Sequence, residues 1–310
     1  ACIGLGRMGA GIAGSIQRAG FTLRVYNRTA AKRKPFVDEG ATAAESPKEA
    51  ATGADVVVTN LMDDASVLDS VTGVDGILAG LDPGRIHIDT TTISPRCARQ
   101  LAELHAEHGS RCVVGPVVGR PDVAAKGELR TFLGGEAGAI EECRPVVDAY
   151  TSLVIGLGED PGLASSMKLA VNYTLVATVE LMGQVFAFGE KSGISPDMLK
   201  LVLGAFFGQP ALQEYARLIH SRDFSDAGFT LSGAMKDMEL MMQAAGDIRA
   251  PLRVKPGSLK SRLRISRAYS CRAGCPKNAP ITRFNMSGLI PLFSPKANTC
   301  PISSTVATNV

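Results

Sequence analysis

The 310 residues are 45% hydrophobic and 20% charged, enough apolar material for a large buried core and a length nearer two domains than one. No uninterrupted apolar run nears the roughly 18 residues of a bilayer span, residues 1–5 are too short for a signal-peptide core, and seven scattered cysteines do not form a disulfide framework. The net charge of +3 hides a split, because residues 252–310 hold ten Lys/Arg and no Asp or Glu while the body before them holds 23 basic against 30 acidic. These features point to a cytoplasmic protein with reduced thiols and no membrane partner; the acidic body argues against nucleic acid as the main partner, whereas the basic tail alone would be compatible with polyanions.

In chain order, residues 1–5 read as the remainder of a buried strand, 9–19 as a helix and 21–26 as a second strand. The alternation continues with a helix over 32–39, a strand over 55–60 carrying Val56-Val57-Val58, a helix over 65–71 and a strand over 86–89. A helix over 95–108, with Pro95 in its first turn, and a strand over 111–114 follow, and strands over 129–133 and 153–155 close the region near Gly158. Alternating strands and helices predict an α/β fold, a doubly wound, mainly parallel sheet of Rossmann type over 1–158. Beyond it the period becomes helical over 163–191, 197–207, 212–220 and 231–245, which predicts an all-helical domain over 159–251. Residues 252–310, with six Pro, eight Ser and no sustained period, read as a poorly ordered basic tail, as from an altered reading frame or a retained intron.

Gly4-Leu5-Gly6-Arg7-Met8-Gly9 matches G-x-G-x-x-G between a strand and a helix, where a dinucleotide site needs it. Gly4 allows the tight turn, Gly6 lets the backbone approach a pyrophosphate, and Gly9 allows close helix-to-strand packing at an N-terminus with unpaired N–H groups. The second strand ends in Asn27-Arg28-Thr29 rather than the acid that would hold a ribose 2′-hydroxyl. The Arg28 fork can pair with a 2′-phosphate, with neutral hydrogen bonds from Asn27 and Thr29, so NADP(H) is expected over NAD(H). Lys32-Arg33-Lys34 reads as a solvated helix start that adds positive field nearby.

Lys168 and Asn172 are four residues apart and share a helix face. A lysine removed from water has a lowered pKa and can exchange a proton with a carbonyl or alcohol oxygen, and Asn172 can hold both in register without adding charge. The four histidines form no metal spacing, Met235, Met238, Met241 and Met242 fit a helical core stripe, and Cys271, Cys275 and Cys300 lack a fourth ligand, so no metal is expected.

The Gly4 to Thr29 segment, Asp89-Thr90-Thr91-Thr92-Ile93-Ser94-Pro95, Gly115-Pro116-Val117-Val118-Gly119-Arg120-Pro121, Lys168-x-x-x-Asn172 and Lys236-Asp237 together resemble the motifs of the β-hydroxyacid dehydrogenases. That family includes 3-hydroxyisobutyrate dehydrogenase and the glyoxylate/succinic semialdehyde reductases, and it is related to 6-phosphogluconate dehydrogenase and the imine reductases. The resemblance covers residues 1–251. It implies a catalytic Lys168 with Asn172 beside it, Thr91 and Thr92 near nicotinamide and substrate, Leu61 and Met62 along the cofactor, and Lys236 at the cofactor or a substrate carboxylate. It also implies a homodimer or homotetramer built through the helical domain.

The chain departs from the family at Thr91, commonly Ser, and at Val118, which replaces a carboxylate-binding hydroxyl; Arg120 arrives two residues later. A bulkier or less acidic substrate, with Gly119 and Arg120 in its loop and Arg120 as anion anchor, is the resulting expectation. The alternatives are an imine reductase, which generally lacks the lysine, and a protein that binds NADP(H) without turnover.

Overall fold

Gly4 adopts φ +91°, a left-handed conformation that turns the chain sharply out of a first strand and into a first helix. The computed structural model describes residues 1–206, 208, 210–221, 223 and 230–248. The elements run β1 (Cys2–Ile3), α1 (Arg7–Arg18), β2 (Arg24–Tyr26), a 3-10 turn (Ala30–Lys32), α2 (Lys34–Asp38), β3 (Thr42–Ala43), α3 (Pro47–Ala51), β4 (Val56–Thr59) and α4 (Asp64–Thr72). A second 3-10 turn (Ile77–Ala79) leads to β5 (Ile86–Asp89), α5 (Pro95–His108) and β6 (Arg111–Val114). Then come β7 (Val117–Val118), α6 (Pro121–Ala125), β8 (Leu129–Gly135), α7 (Ala137–Asp148) and β9 (Thr151–Gly156). Four helices follow: α8 (Pro161–Lys191), α9 (Pro196–Phe206), α10 (Pro210–Ser221) and α11 (Leu231–Asp247).

The strands form one sheet in the order β3-β2-β1-β4-β5-β6-β8-β7, with β9 added to β8. The six strands β1 to β6 pair in parallel; β8 runs antiparallel to β6 and β7 and parallel to β9. This is the mainly parallel, doubly wound sheet expected from the alternation, and its strand order reverses beside β1, where such folds place their ligands.

Burial follows the pleat. Val57 and Val58 are adjacent on β4 yet join different apolar clusters, Val58 with Ile12, Ile16 and Val25, Val57 with Val67, Val71 and Leu101. Helices cover both faces, so the strands read as continuous apolar runs.

Several elements escaped the sequence reading. β3, α3, β7 and α6 are two to five residues long, too short to show a period. α7 carries Pro145 inside it, which breaks the helical signal. The strand read over 1–5 pairs only at Cys2 and Ile3, because Gly4 turns away.

α8 has the length and mean hydropathy, 1.3, of a membrane span, but by length and composition alone. It packs on β8, α5 and α11, burying Ala164, Lys168, Leu169 and Asn172. Farther along, Val176 meets Met235 and Met238 of α11, and Met182 and Phe186 meet Ala216 of α10. The expected methionine core stripe is thus present at Met235 and Met238. The expected tail at 252–310 and its three cysteines lie outside the described residues.

Candidate active site

The glycine loop is built as its spacing requires. A Cβ on Gly4 would stand 2.3 Å from the Asn60 carbonyl oxygen, and one on Gly9 would stand 1.9 Å from that of Gly4. Nothing lies within 4 Å of a Cβ built on Gly6. Gly6 is also the N-cap of α1, with no side-chain cap and no acid in the first turn, and Arg7 and Met8 begin the helix. Uncapped amides, the positive end of the helix dipole and open space over Gly6 fit a pyrophosphate group.

Asn27 binds the loop itself. Its Oδ1 accepts from the Leu5 N–H at 2.8 Å and its Nδ2 donates to the Thr29 carbonyl at 3.1 Å. It therefore braces the loop against β2, and its amide nitrogen, which carries two N–H groups, uses one of them on Thr29. Arg28 and Thr29 are exposed beside it. Arg33, expected to be solvated, is buried, bonding the Ala44 carbonyl and pairing with Glu45 at 2.8 Å, while Lys34 pairs with Asp38.

A second set of bonds joins the carboxyl end of the sheet to the helices. Leu61 N–H donates to Thr91 Oγ1 at 2.9 Å, and the Thr91 hydroxyl donates to Asp89 Oδ1 at 2.7 Å. Met62 is exposed next to Leu61. From α11, Lys236 Nζ donates to the Thr92 carbonyl at 2.8 Å and also lies 2.8 Å from Asp237 Oδ1. Asp237 Oδ2 accepts from Asn172 Nδ2, so Asn172 is tied to α11. Lys168 stands one helical turn before Asn172 and is only 8% exposed.

Burial pulls the Lys168 amine down from its ordinary 10.5 to about 8; the Asp237 carboxylate holds it up and the Lys236 ammonium pushes it further down. Contacts thus link Thr92, Lys236, Asp237 and Asn172, and the charges of Asp237 and Lys236 act on the buried Lys168. Asp237 was missed as a site residue, although the Lys236-Asp237 pair stands in the sequence.

Elsewhere the expectations change. Val118 is half-buried on β7 and Gly119 is exposed with φ +151°. Arg120, expected as a free anion anchor, pairs with Asp122 and with Glu214 of α10, both at 3.2 Å. It is a bridge from the β7–α6 turn to the helical region, since Glu214, held down to about 2 mainly by Arg217, offers it a permanent charge.

His87 and His105, expected to be scattered, are in contact, their ring centroids 4.9 Å apart. One ring nitrogen of each and the Cys112 sulfur lie within 4.8 Å of one another, but all four ring nitrogens already hold hydrogen bonds. Strand-to-helix packing, invisible in linear spacing, brings them together.

Comparisons with known proteins identify the family. Residues 1–158 match the family model of the NAD binding domain of 6-phosphogluconate dehydrogenase, and residues 162–258 that of the NAD-binding domain of NADP-dependent 3-hydroxyisobutyrate dehydrogenase. Over 252 residues the chain is 40% identical to an uncharacterized oxidoreductase, YfjR, of Bacillus subtilis, covering 81% of this chain and 88% of that one. It is 31% identical over 255 residues to an NAD-dependent L-serine dehydrogenase of Pseudomonas aeruginosa, covering 79% and 84%. The crystal structure of 3-hydroxyisobutyrate dehydrogenase (ygbJ) from Salmonella typhimurium superposes with a TM-score of 0.77 at 25% identity, covering 86% of this chain and 93% of that one. With the glycine loop and the buried lysine in place, the chain belongs to the β-hydroxyacid dehydrogenase family related to 3-hydroxyisobutyrate dehydrogenase and is an NAD(P)-dependent oxidoreductase.

Proposed function

We propose that the protein is NADP(H)-dependent and that the bound nicotinamide supplies or accepts a hydride while Lys168 moves a proton at the oxygen of a small aldehyde, ketone or β-hydroxy acid. The observation that carries this reading is the burial of Lys168, whose amine falls to about 8, beside Asp237 and Asn172. Near neutral pH such a group both gives and takes a proton, acting as acid in reduction and base in oxidation. Asp237 keeps the amine partly charged, and Asn172 holds Asp237. Lys236 ties this pair to the Thr91–Thr92 loop, so helices and sheet present their groups to one substrate.

Gly4, Leu5, Gly6, Arg7, Met8 and Gly9 would cradle the pyrophosphate, with Leu61, Met62 and Thr91 along the remainder of the cofactor. Arg28 would meet the 2′-phosphate; the supports are its exposure beside the loop and the lack of an acid on β2. Val118, Gly119 and Thr91 would line the substrate side. Arg120 would act there only by exchanging Glu214 for a substrate anion. The chain would divide into a cofactor domain over 1–158 and a helical domain from 159. Exposed apolar side chains on α8 and α9, Leu181 at 59%, Phe188 at 68% and Leu201 at 67%, support self-association as a homodimer or homotetramer. Free, buried Cys2, Cys97, Cys112 and Cys143 support a cytoplasmic setting.

The test is fluorescence titration with NADPH and NADH, followed by turnover with glyoxylate, succinic semialdehyde and, in oxidation, L-serine. NADPH should bind more tightly, and Arg28→Ala should lower the ratio of the two affinities about tenfold, as for loss of one charge-assisted hydrogen bond. An unchanged ratio defeats the NADP(H) assignment. Tight binding with no turnover on any substrate favours a non-catalytic dinucleotide binder.

A further inference from the structure

Behind Thr91 a file of hydrogen bonds runs through the interior of the sheet. Asp89 Oδ1 accepts from the Thr91 hydroxyl at 2.7 Å and from the Thr59 hydroxyl at 2.6 Å. Thr59 Oγ1 is 2.9 Å from His87 Nε2, His87 Nδ1 is 2.9 Å from His105 Nε2, and His105 Nδ1 is 2.8 Å from Ser110 Oγ. All six residues are buried, and Asp89 Oδ2 has no partner among the described residues.

Counting protons gives the file a direction. Burial holds the imidazolium form of His87 well below its usual range and that of His105 at about 4, so each ring carries one N–H near neutral pH. Thr59 has a single hydroxyl proton. When Asp89 is ionised that proton goes to the carboxylate, so His87 must donate from Nε2 and accept at Nδ1. His105 must then donate from Nε2 and accept the Ser110 hydroxyl at Nδ1. When Asp89 takes up a proton it donates to Thr59, Thr59 donates to His87, and every later bond reverses. Ser110 then turns its hydroxyl to the His105 carbonyl, 3.3 Å away.

We propose that Asp89 is a positioning residue for the nicotinamide end of the site, acting through Thr91, and that its charge sets one shared tautomer on His87 and His105. The first half rests on the functional reading above, which puts the cofactor along Leu61 and Thr91; the second half does not. Asp89 fixes the Thr91 hydroxyl, so that Thr91 Oγ1 in turn holds the Leu61 N–H. The groups that face the file are Asp64 from α4, which opposes ionisation of Asp89, the Cys97 thiol of α5 and the Cys112 thiol of β6, both held protonated by burial, and His108 against His105.

The test is long-range ¹⁵N–¹H spectroscopy of the histidines in the full chain between pH 5 and 8, without cofactor. Both rings should be Nε2–H at high pH and Nδ1–H at low pH, with a common midpoint near 6, the value to which burial raises Asp89. In Asp89→Asn, and in Thr59→Val, which cuts the file at its first joint, the pH-linked switch should vanish. Opposite tautomers on the two rings, or a switch that survives both substitutions, overturns the charge coupling; the wild-type spectra alone decide the first point should a variant fail to fold.

For the positioning role, Asp89→Asn and Thr91→Val should each weaken NADPH binding about tenfold, and the double variant should lose no more than either alone. Additive losses overturn it. A wild-type chain that binds no dinucleotide removes the functional reading and the positioning role together, while the spectra still decide the tautomers.

Discussion

Lys168 and Asp89 are both ionisable groups taken out of water, and in both cases burial pushes toward the neutral form, the amine down to about 8 and the carboxyl up to about 6. Their company differs. Lys168 has a carboxylate at hand, Asp237, which partly restores its charge. Asp89 has only neutral donors, the Thr59 and Thr91 hydroxyls and the Thr91 N–H, with the carboxylate of Asp64 working against it. Desolvation fixes the direction of a shift, and the neighbours fix what it is good for. An amine with a counter-charge is suited to exchanging protons near neutral pH, whereas a carboxyl among hydroxyls is suited to passing its state along a file of hydrogen bonds.

Removing the amine tests the sharper side of that contrast. Lys168→Met should lower kcat by about 10²- to 10⁴-fold, the usual value of positioned acid–base catalysis, with NADPH affinity changed less than about twofold. A loss confined to affinity would make Lys168 a binding residue. The same variant should be more stable than the parent. In the folded chain the amine titrates near 8 and in the unfolded chain near 10.5, so below pH 8 folding carries the cost of a buried charge. The gain, about 3 kcal/mol by linkage, should be full below pH 8 and fade as the pH rises toward 10.5, which thermal melts across that range will read.

The counter-charge is tested next. Asp237 holds the Lys168 pKa up, so Asp237→Asn should let it fall further. The rising limb of the oxidation rate should then move to lower pH, as should the falling limb of reduction. Limbs that stay in place would mean that Asp237 acts only by packing against Asn172.

The two regions also differ in how far the sequence reveals them. The glycine loop was legible because Gly4, Gly6 and Gly9 act within six residues, and the sheet because strands and helices alternate. Lys168 and Asn172 were legible because i and i+4 share a helix face. Their connection to Asp237, 65 residues later, depends on how α8 packs against α11, which spacing does not encode. Arg120 is the same lesson in reverse: its motif placed it in a substrate loop, and α10 supplied Glu214 to occupy it. The file from Asp89 to Ser110 was the least visible. Its members sit on β4, β5, α5 and the turn before β6, and His87 meets His105 only after a helix packs on the sheet.

The smallest expected effect separates burial from hydrogen bonding at Asp89. Its carboxyl titrates near 6 in the folded chain against 3.8 as its ordinary value, so its contribution to stability is fully present below pH 3.8 and is lost as the pH rises through 6. The reason is that the unfolded chain ionises first and gains solvation that the buried carboxylate lacks. Asp89→Asn cannot ionise, so the difference in Tm between variant and parent should grow in favour of the variant from pH 4 to 6 and then stay level. A difference that moves the other way would mean that the Thr59 and Thr91 hydroxyls outweigh desolvation and hold Asp89 below its ordinary value. In that case Asp89 is ionised throughout the working range, the imidazole pair keeps one tautomer, and Lys168 is left as the buried group whose charge changes near neutral pH.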